Sequence, residues 1–94
     1  MDYEIIWAVE AKENYRAAIS YLLDEYSFEV ADRFTDKVSD KLTLLKKTPF
    51  IGRRLNILPS VRKLPIEPYT MLYYAVVEKQ VIILNILDTR QAIL

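Results

Sequence analysis

Asp88, Thr89 and Arg90 follow directly on an aliphatic run, Val81-Ile82-Ile83-Leu84-Asn85-Ile86-Leu87, whose composition suits a buried strand. Charge just past a strand end can be simple solvation of the boundary. It can also be where a small domain puts its working residues. Arg90 offers a planar fork of N–H donors that matches a carboxylate or a phosphate. Three further groups share this character: Arg53-Arg54, Arg62-Lys63, and the acid and tyrosine of Glu67-Pro68-Tyr69. What they can do is narrowed by composition. The chain has no histidine, which removes the commonest general acid/base and the commonest metal ligand, and no cysteine, which removes disulfides and thiolate metal sites.

The charges are segregated. Residues 1–40 carry ten acids against four bases, a net of −6, and residues 41–94 carry nine bases against three acids, a net of +6. The zero net charge of the whole therefore hides an acidic first part and a basic second part, a pattern that points to an anionic partner for the second. Faces that differ only in how they are solvated are the plain alternative.

Ninety-four residues, 52% of them hydrophobic, suit one compact domain over 1–94 and are too apolar for a disordered chain. The N-terminus has acids in its first four residues and no basic leader region, so it does not read as a signal peptide. The longest apolar run, Met71 to Val77, is far short of a membrane span. Lack of cysteine fits a reducing cytosol, and the expectation is a soluble cytoplasmic protein with no membrane partner.

Tyr3-Glu4-Ile5-Ile6-Trp7 reads as a strand. From about Glu10 the period becomes helical, with Tyr15, Ala18, Ile19, Leu22, Leu23 and Tyr26 on one stripe. Ser27 interrupts it and can cap a second helix, whose stripe is Ala31, Phe34, Val38, Leu42 and Leu45. Lys46 and Lys47 suit the C-terminal end of that helix, and Pro49 stops it. So short a break between two amphipathic helices makes a helical hairpin, with Trp7 and Phe34 as core anchors between hairpin and sheet. Gly52, the only glycine, falls in a loop that would use its freedom at positive φ. Strands follow at Val61–Ile66, where Pro65 suggests an edge or strand end, at Tyr69–Val77 and at Val81–Leu87, with a turn at Glu78-Lys79-Gln80 and a further short strand within Arg53–Ile57. The expected class is α+β: an N-terminal strand, a helical hairpin, then a mainly antiparallel sheet of three to four C-terminal strands in two layers.

Several stretches in this order carry a resemblance. They are Ile5-Ile6-Trp7-Ala8, the helix with Ile19, Tyr21 and Leu22, and Ala31-x-x-Phe34 running into Leu45-x-x-x-Pro49-x-x-Gly52. Then come Arg62-Lys63-Leu64-Pro65-Ile66, Pro68-Tyr69-Thr70-Met71-Leu72-Tyr73-Tyr74-Ala75-Val76, and the last aliphatic run with Arg90 after it. Together they resemble the RelE/ParE superfamily of bacterial toxin–antitoxin toxins, above all its ParE-like plasmid-stabilisation branch, over nearly the whole length. Many members place a histidine and then arginine after the last strand. Here Asp88-Thr89-Arg90-Gln91 keeps the arginine and lacks the histidine.

The resemblance implies two activities. RelE-type relatives cleave ribosome-bound mRNA by driving a ribose 2′-OH onto the adjacent phosphate, which needs a base and cations for the developing charge. In that case Arg62 and Arg90 would hold the phosphate, Arg53, Arg54 and Lys63 would track the backbone, and Tyr69 or Tyr73 would stack on a base. The base would have to be Glu67, Asp88, a tyrosine or a lysine of shifted pKa. ParE-type relatives inhibit DNA gyrase by binding, so a missing base costs that activity nothing. The resemblance therefore implies a toxin that binds gyrase or the replication machinery, with an mRNA interferase, or a degenerate member retaining only its antitoxin, as alternatives. It also implies a cognate antitoxin whose flexible, acidic segment covers apolar and edge surfaces, no cofactor or metal, and no sequence-specific DNA binding by this chain. Each basic residue has a structural reading too: Arg53-Arg54 as a solvated loop pair, Arg62 paired with a helix acid, and Arg90 paired with Asp88.

Overall fold

The computed structural model describes residues 2–90. Strand β1 (Glu4–Trp7) leads into helices α1 (Val9–Glu25) and α2 (Phe28–Lys47), followed by β2 (Arg53–Arg54), β3 (Val61–Ile66), β4 (Thr70–Val77) and β5 (Gln80–Asp88). The Ser27 hydroxyl accepts a hydrogen bond from the Val30 N–H at 3.3 Å and starts α2, Glu29 lies in its first turn, and Lys46 and Lys47 lie in its last. The second stripe is as the spacing predicts: Ala31, Val38 and Leu45 are buried, with Phe34 and Leu42 packed against the core. The first stripe holds only in part. Tyr15 packs on the core, but Leu23 and Tyr26, at the far end of α1, are about half exposed because the hairpin tip overhangs the sheet.

All five strands form one sheet in the order β1-β5-β4-β3-β2, so it has five strands rather than three to four. The fifth comes from the N-terminus. β1 pairs in parallel with the first part of β5, Ile5 opposite Val81 and Trp7 opposite Ile83, and the helical hairpin together with β2, β3 and β4 makes the long connection that parallel partners need. The other pairings are antiparallel, so the sheet is mixed. Pro65 faces Met71 of β4, and β2 reaches only Arg62 and Lys63, so its missing N–H falls on a length of β3 with no outer neighbour. Beyond Ile83, β5 also runs past β1. There the Asn14 side chain of α1 accepts from the Ile86 N–H at 3.2 Å and does a strand's work.

Leu64, Ile66, Leu72, Tyr74, Val81, Ile83 and Ile86 pack beneath Ala11, Val38 and Leu45 of the helices, with the ring series Trp7–Tyr15–Phe34 at 5.1 and 5.9 Å bridging the two layers. Among the described residues, no helix is long and apolar enough to cross a membrane.

Candidate functional site

The candidate residues fall into three separate places. Alternation along β4 puts Leu72 and Tyr74 toward the helices and Tyr73 on the opposite face. Tyr73 faces Lys63 in register, and Lys63 faces Arg53, so these three form a row across the face away from the helices. Tyr73 is only 9% exposed, so it is no open platform for a base; Tyr69, 49% exposed, keeps that possibility.

The second place is a knot where α2 turns into the sheet. The Arg62 guanidinium donates to the carbonyls of Phe50 (3.1 Å) and Gly52 (2.8 Å) and sits 5.2 Å from the centre of the Phe50 ring. Its neighbour in register is Tyr74, fully buried, whose hydroxyl donates to the Pro49 carbonyl and accepts from the Gly52 N–H, both at 2.8 Å. Burial pushes the Tyr74 phenol above its usual pKa, against the Gly52 N–H and the Arg62 charge. Arg62 is thus spent on main-chain carbonyls, and no helix acid pairs with it among the described residues. Gly52 does not have positive φ. Its smallness serves close approach instead: a Cβ there would lie 2.5 Å from the Tyr74 hydroxyl and 2.9 Å from the Lys63 carbonyl.

The third place is a cleft of about 740 Å3 between the hairpin tip and the end of the sheet. The sheet supplies Glu67, Tyr69, Ile86, Leu87, Asp88 and Arg90, and the helices supply Tyr21, Leu22, Tyr26, Phe34, Arg33 and Lys37. At its mouth Arg90 and Asp88 close on each other through two side-chain bonds, Nη2 to Oδ2 at 2.7 Å and Nε to Oδ1 at 3.1 Å, and the Arg90 N–H also donates to Oδ1. The Arg90 guanidinium lies 4.2 Å from the centre of the Tyr69 ring. These bonds hold the Asp88 carboxyl below its ordinary pKa and raise that of Arg90. The structural expectation for Arg90, a pair with Asp88, is what the geometry shows. At the tip, Tyr26 beside Tyr21 raises the Tyr21 pKa, and the two rings stand 6.1 Å apart. Lys37 donates to the Glu67 carbonyl across the cleft.

Arg62 and Arg90 therefore do not converge. Arg62 faces Tyr74, Thr70 faces Asp88, and the four residue steps along β4 from Tyr74 to Thr70 span roughly 13 Å before Arg90 is reached. In the sequence Tyr26 stands only as a helix-stripe residue and Tyr21 only as part of the family pattern, and Arg33 and Lys37 carry no site reading. Their signal is the spacing Val30-Arg33-Phe34-Lys37 on one face of α2, which becomes a site only where the hairpin overhangs the sheet. Among the described residues, no group of three or more acids could hold a metal ion.

Residues 5–93 match the family described as the ParE toxin of the type II toxin–antitoxin system, parDE. The chain belongs to the ParE toxin family. Its fold is similar to three solved structures. The chromosomal ParDE system of P. aeruginosa has a TM-score of 0.77 at 19% identity, covering 92% of this chain and 95% of that one. A YoeB/ParE toxin of Agrobacterium tumefaciens gives 0.70 at 15%, covering 90% and 96%. The E. coli DinJ–YafQ toxin–antitoxin complex gives 0.70 at 13%, covering 99% of each. No curated protein sequence matches this ParE-family chain.

Proposed function

We propose that the chain arrests growth by binding its target, DNA gyrase or another part of the replication machinery, and that a cognate antitoxin neutralises it. The observation that carries this reading is the closed Asp88–Arg90 pair at the mouth of the cleft. A general base must have a pKa near the working pH, and Asp88 is held the other way, as a carboxylate engaged at both oxygens. Arg62, the other phosphate candidate, is tied to main-chain carbonyls at the far end of the strands. A binding inhibitor needs neither. Arg53, Arg54, Lys63, Tyr69 and Arg90 then act as contacts, with Arg62 fixing the loop that carries two of them. Such a target places the protein's work in the cytoplasm.

An antitoxin partner is supported by two of the structural neighbours, one a ParDE system and the other a DinJ–YafQ complex. The cleft suits an acidic segment with apolar anchors: Tyr21, Leu22, Tyr26 and Phe34 offer apolar surface, with Arg33, Lys37 and Arg90 around it. The test adds purified chain to a gyrase supercoiling assay and, separately, to a translation reaction whose mRNA is mapped for breaks. Inhibited supercoiling with intact mRNA is expected. Codon-linked mRNA cleavage that Arg90→Ala abolishes would overturn the proposal in favour of an interferase.

A further inference from the structure

The edge of the sheet at β2 has features that neither the cleft nor the fold explains. Residues 41–66 contain seven bases and no acid. Within that stretch Arg53 and Arg54 are exposed on the edge strand, and neither makes an ion pair among the described residues. Large apolar side chains flank them. Phe50 and Ile51 are 56% and 44% exposed on the way into β2, and Ile57 and Leu58 are 85% and 52% exposed just after it. Phe50 is partly held by Arg62 and the edge of the Tyr3 ring, while Ile51, Ile57 and Leu58 extend the exposed apolar surface beside those two arginines, a combination that marks an interaction site.

The display is also rigid. Leu55 N–H donates to the Val61 carbonyl at 3.0 Å and Val61 N–H to the Leu58 carbonyl at 2.9 Å, so the turn bearing Ile57 is closed by two main-chain bonds. On the other side, Arg62 and Tyr74 grip the main chain at Pro49, Phe50 and Gly52. A fixed surface loses little entropy on docking.

We propose that this edge, comprising Phe50, Ile51, Arg53, Arg54, Ile57 and Leu58, is the surface by which the chain grips its target, and that the target presents an acidic protein surface with an apolar recess. Aromatic and arginine side chains around aliphatic anchors are the composition of a protein interface. Arg53 and Arg54 leave the edge strand toward opposite faces, so a partner seated on the edge can bring a carboxylate to each guanidinium fork. Exposed isoleucine and leucine have no use against phosphates and cannot stack on bases. This inference rests on the proposed function only in taking a protein as the target.

The experiment compares wild type, Arg53→Glu/Arg54→Glu, Ile57→Ser/Leu58→Ser and the conservative Arg53→Gln/Arg54→Gln, each checked for an unchanged melting curve. Inhibition of gyrase supercoiling and growth arrest on induction in a bacterial host are both read. Loss of the two arginines or of the two aliphatics should weaken target inhibition roughly 100-fold, about tenfold for each contact. Folded variants that inhibit like wild type overturn the docking surface and leave the gyrase reading standing. Wild type that arrests growth without touching gyrase, while the variants do not arrest, removes gyrase and supports the surface. Wild type that does neither overturns both. Wild type that binds phosphatidylglycerol vesicles or single-stranded RNA, with binding lost in the same variants, also overturns the protein partner in favour of lipid or nucleic acid.

Discussion

Two arginines, one on a strand and one just past a strand end of the same sheet, meet opposite fates in this molecule. At the α2–β2 end, half-buried Arg62 is held by several partners at once: two main-chain carbonyls, an aromatic ring, and beside it a buried tyrosine bonded to the same loop. At the other end, Arg90 is exposed, paired with a single carboxylate, and stacked on a tyrosine at the rim of a cleft. The first arrangement makes charge structural. The second leaves it transferable, since a carboxylate arriving in the cleft could replace Asp88 with little rearrangement. The difference lies in the surroundings, since burial makes hydrogen bonds costly to lose and solvent makes ion pairs cheap to exchange.

If the knot is structural, the largest loss should follow from filling its one gap. Gly52→Ala sets a Cβ 2.5 Å from the hydroxyl of a tyrosine that is itself fully enclosed and 2.9 Å from a main-chain oxygen, so neither neighbour can yield freely. A destabilisation of about 3 kcal/mol, or a fall of roughly 15 °C in Tm, is expected from overpacking and broken hydrogen bonds together. A melting curve decides it, and an unchanged Tm would mean that the loop is not held as tightly as the bonds suggest. Tyr74→Phe comes next. It keeps the ring and strips both bonds from the Pro49 carbonyl and Gly52 N–H, for a loss of about 2 kcal/mol in urea unfolding.

The contrast between the two ends was only partly legible in the sequence. Periodicity located both helices, because a stripe such as Ala31, Phe34, Val38, Leu42, Leu45 is a local consequence of 3.6 residues per turn. The strand limits of β3 were equally local. The pairing of β1 with β5 was not, since residues 4–7 and 80–83 meet only after the hairpin and three further strands are in place. Glu67, Tyr69, Asp88 and Arg90 line one cleft because each stands at a strand end on the same side of the sheet. Arg62 lies apart from them, at the Pro49–Gly52 end, and its position within a strand run does not reveal which end of the sheet it occupies. The glycine was legible as special, but whether for φ or for space depends on Tyr74, 22 residues away.

Arg62→Lys tests whether the knot needs the guanidinium or merely the charge. Both bonds leave one nitrogen, Nη1; a lysine keeps a cation near Tyr74 but is one bond shorter in reach and lacks the plane that lies over the Phe50 ring. A loss of about 1–2 kcal/mol is expected, insensitive to salt, since the bonds run to main-chain oxygens. Full stability in Arg62→Lys would reduce its role to a point charge.

The smallest effect belongs to Asp88→Asn, and its pH dependence separates the two ends. The folded-state pKa of Asp88 lies below the unfolded value of 3.8, with the Arg90 side-chain bond as the first cause. The carboxylate therefore contributes its stability above that value and loses it as pH falls through the folded pKa. At neutral pH, Asp88→Asn should lower Tm by about 1–3 °C, as for other solvent-facing pairs. As pH falls through the folded-state pKa of Asp88 the gap between wild type and variant should close, and added salt should narrow it at any pH. The Tyr74→Phe deficit should stay constant over the same range, because neither of its partners titrates there. A gap for Asp88→Asn that persists into acid would mean that the neutral bond from the Arg90 N–H, 2.8 Å to Oδ1, holds the turn. Arg90 would then be fixed by its main chain much as Arg62 is, and less free to turn toward an incoming carboxylate.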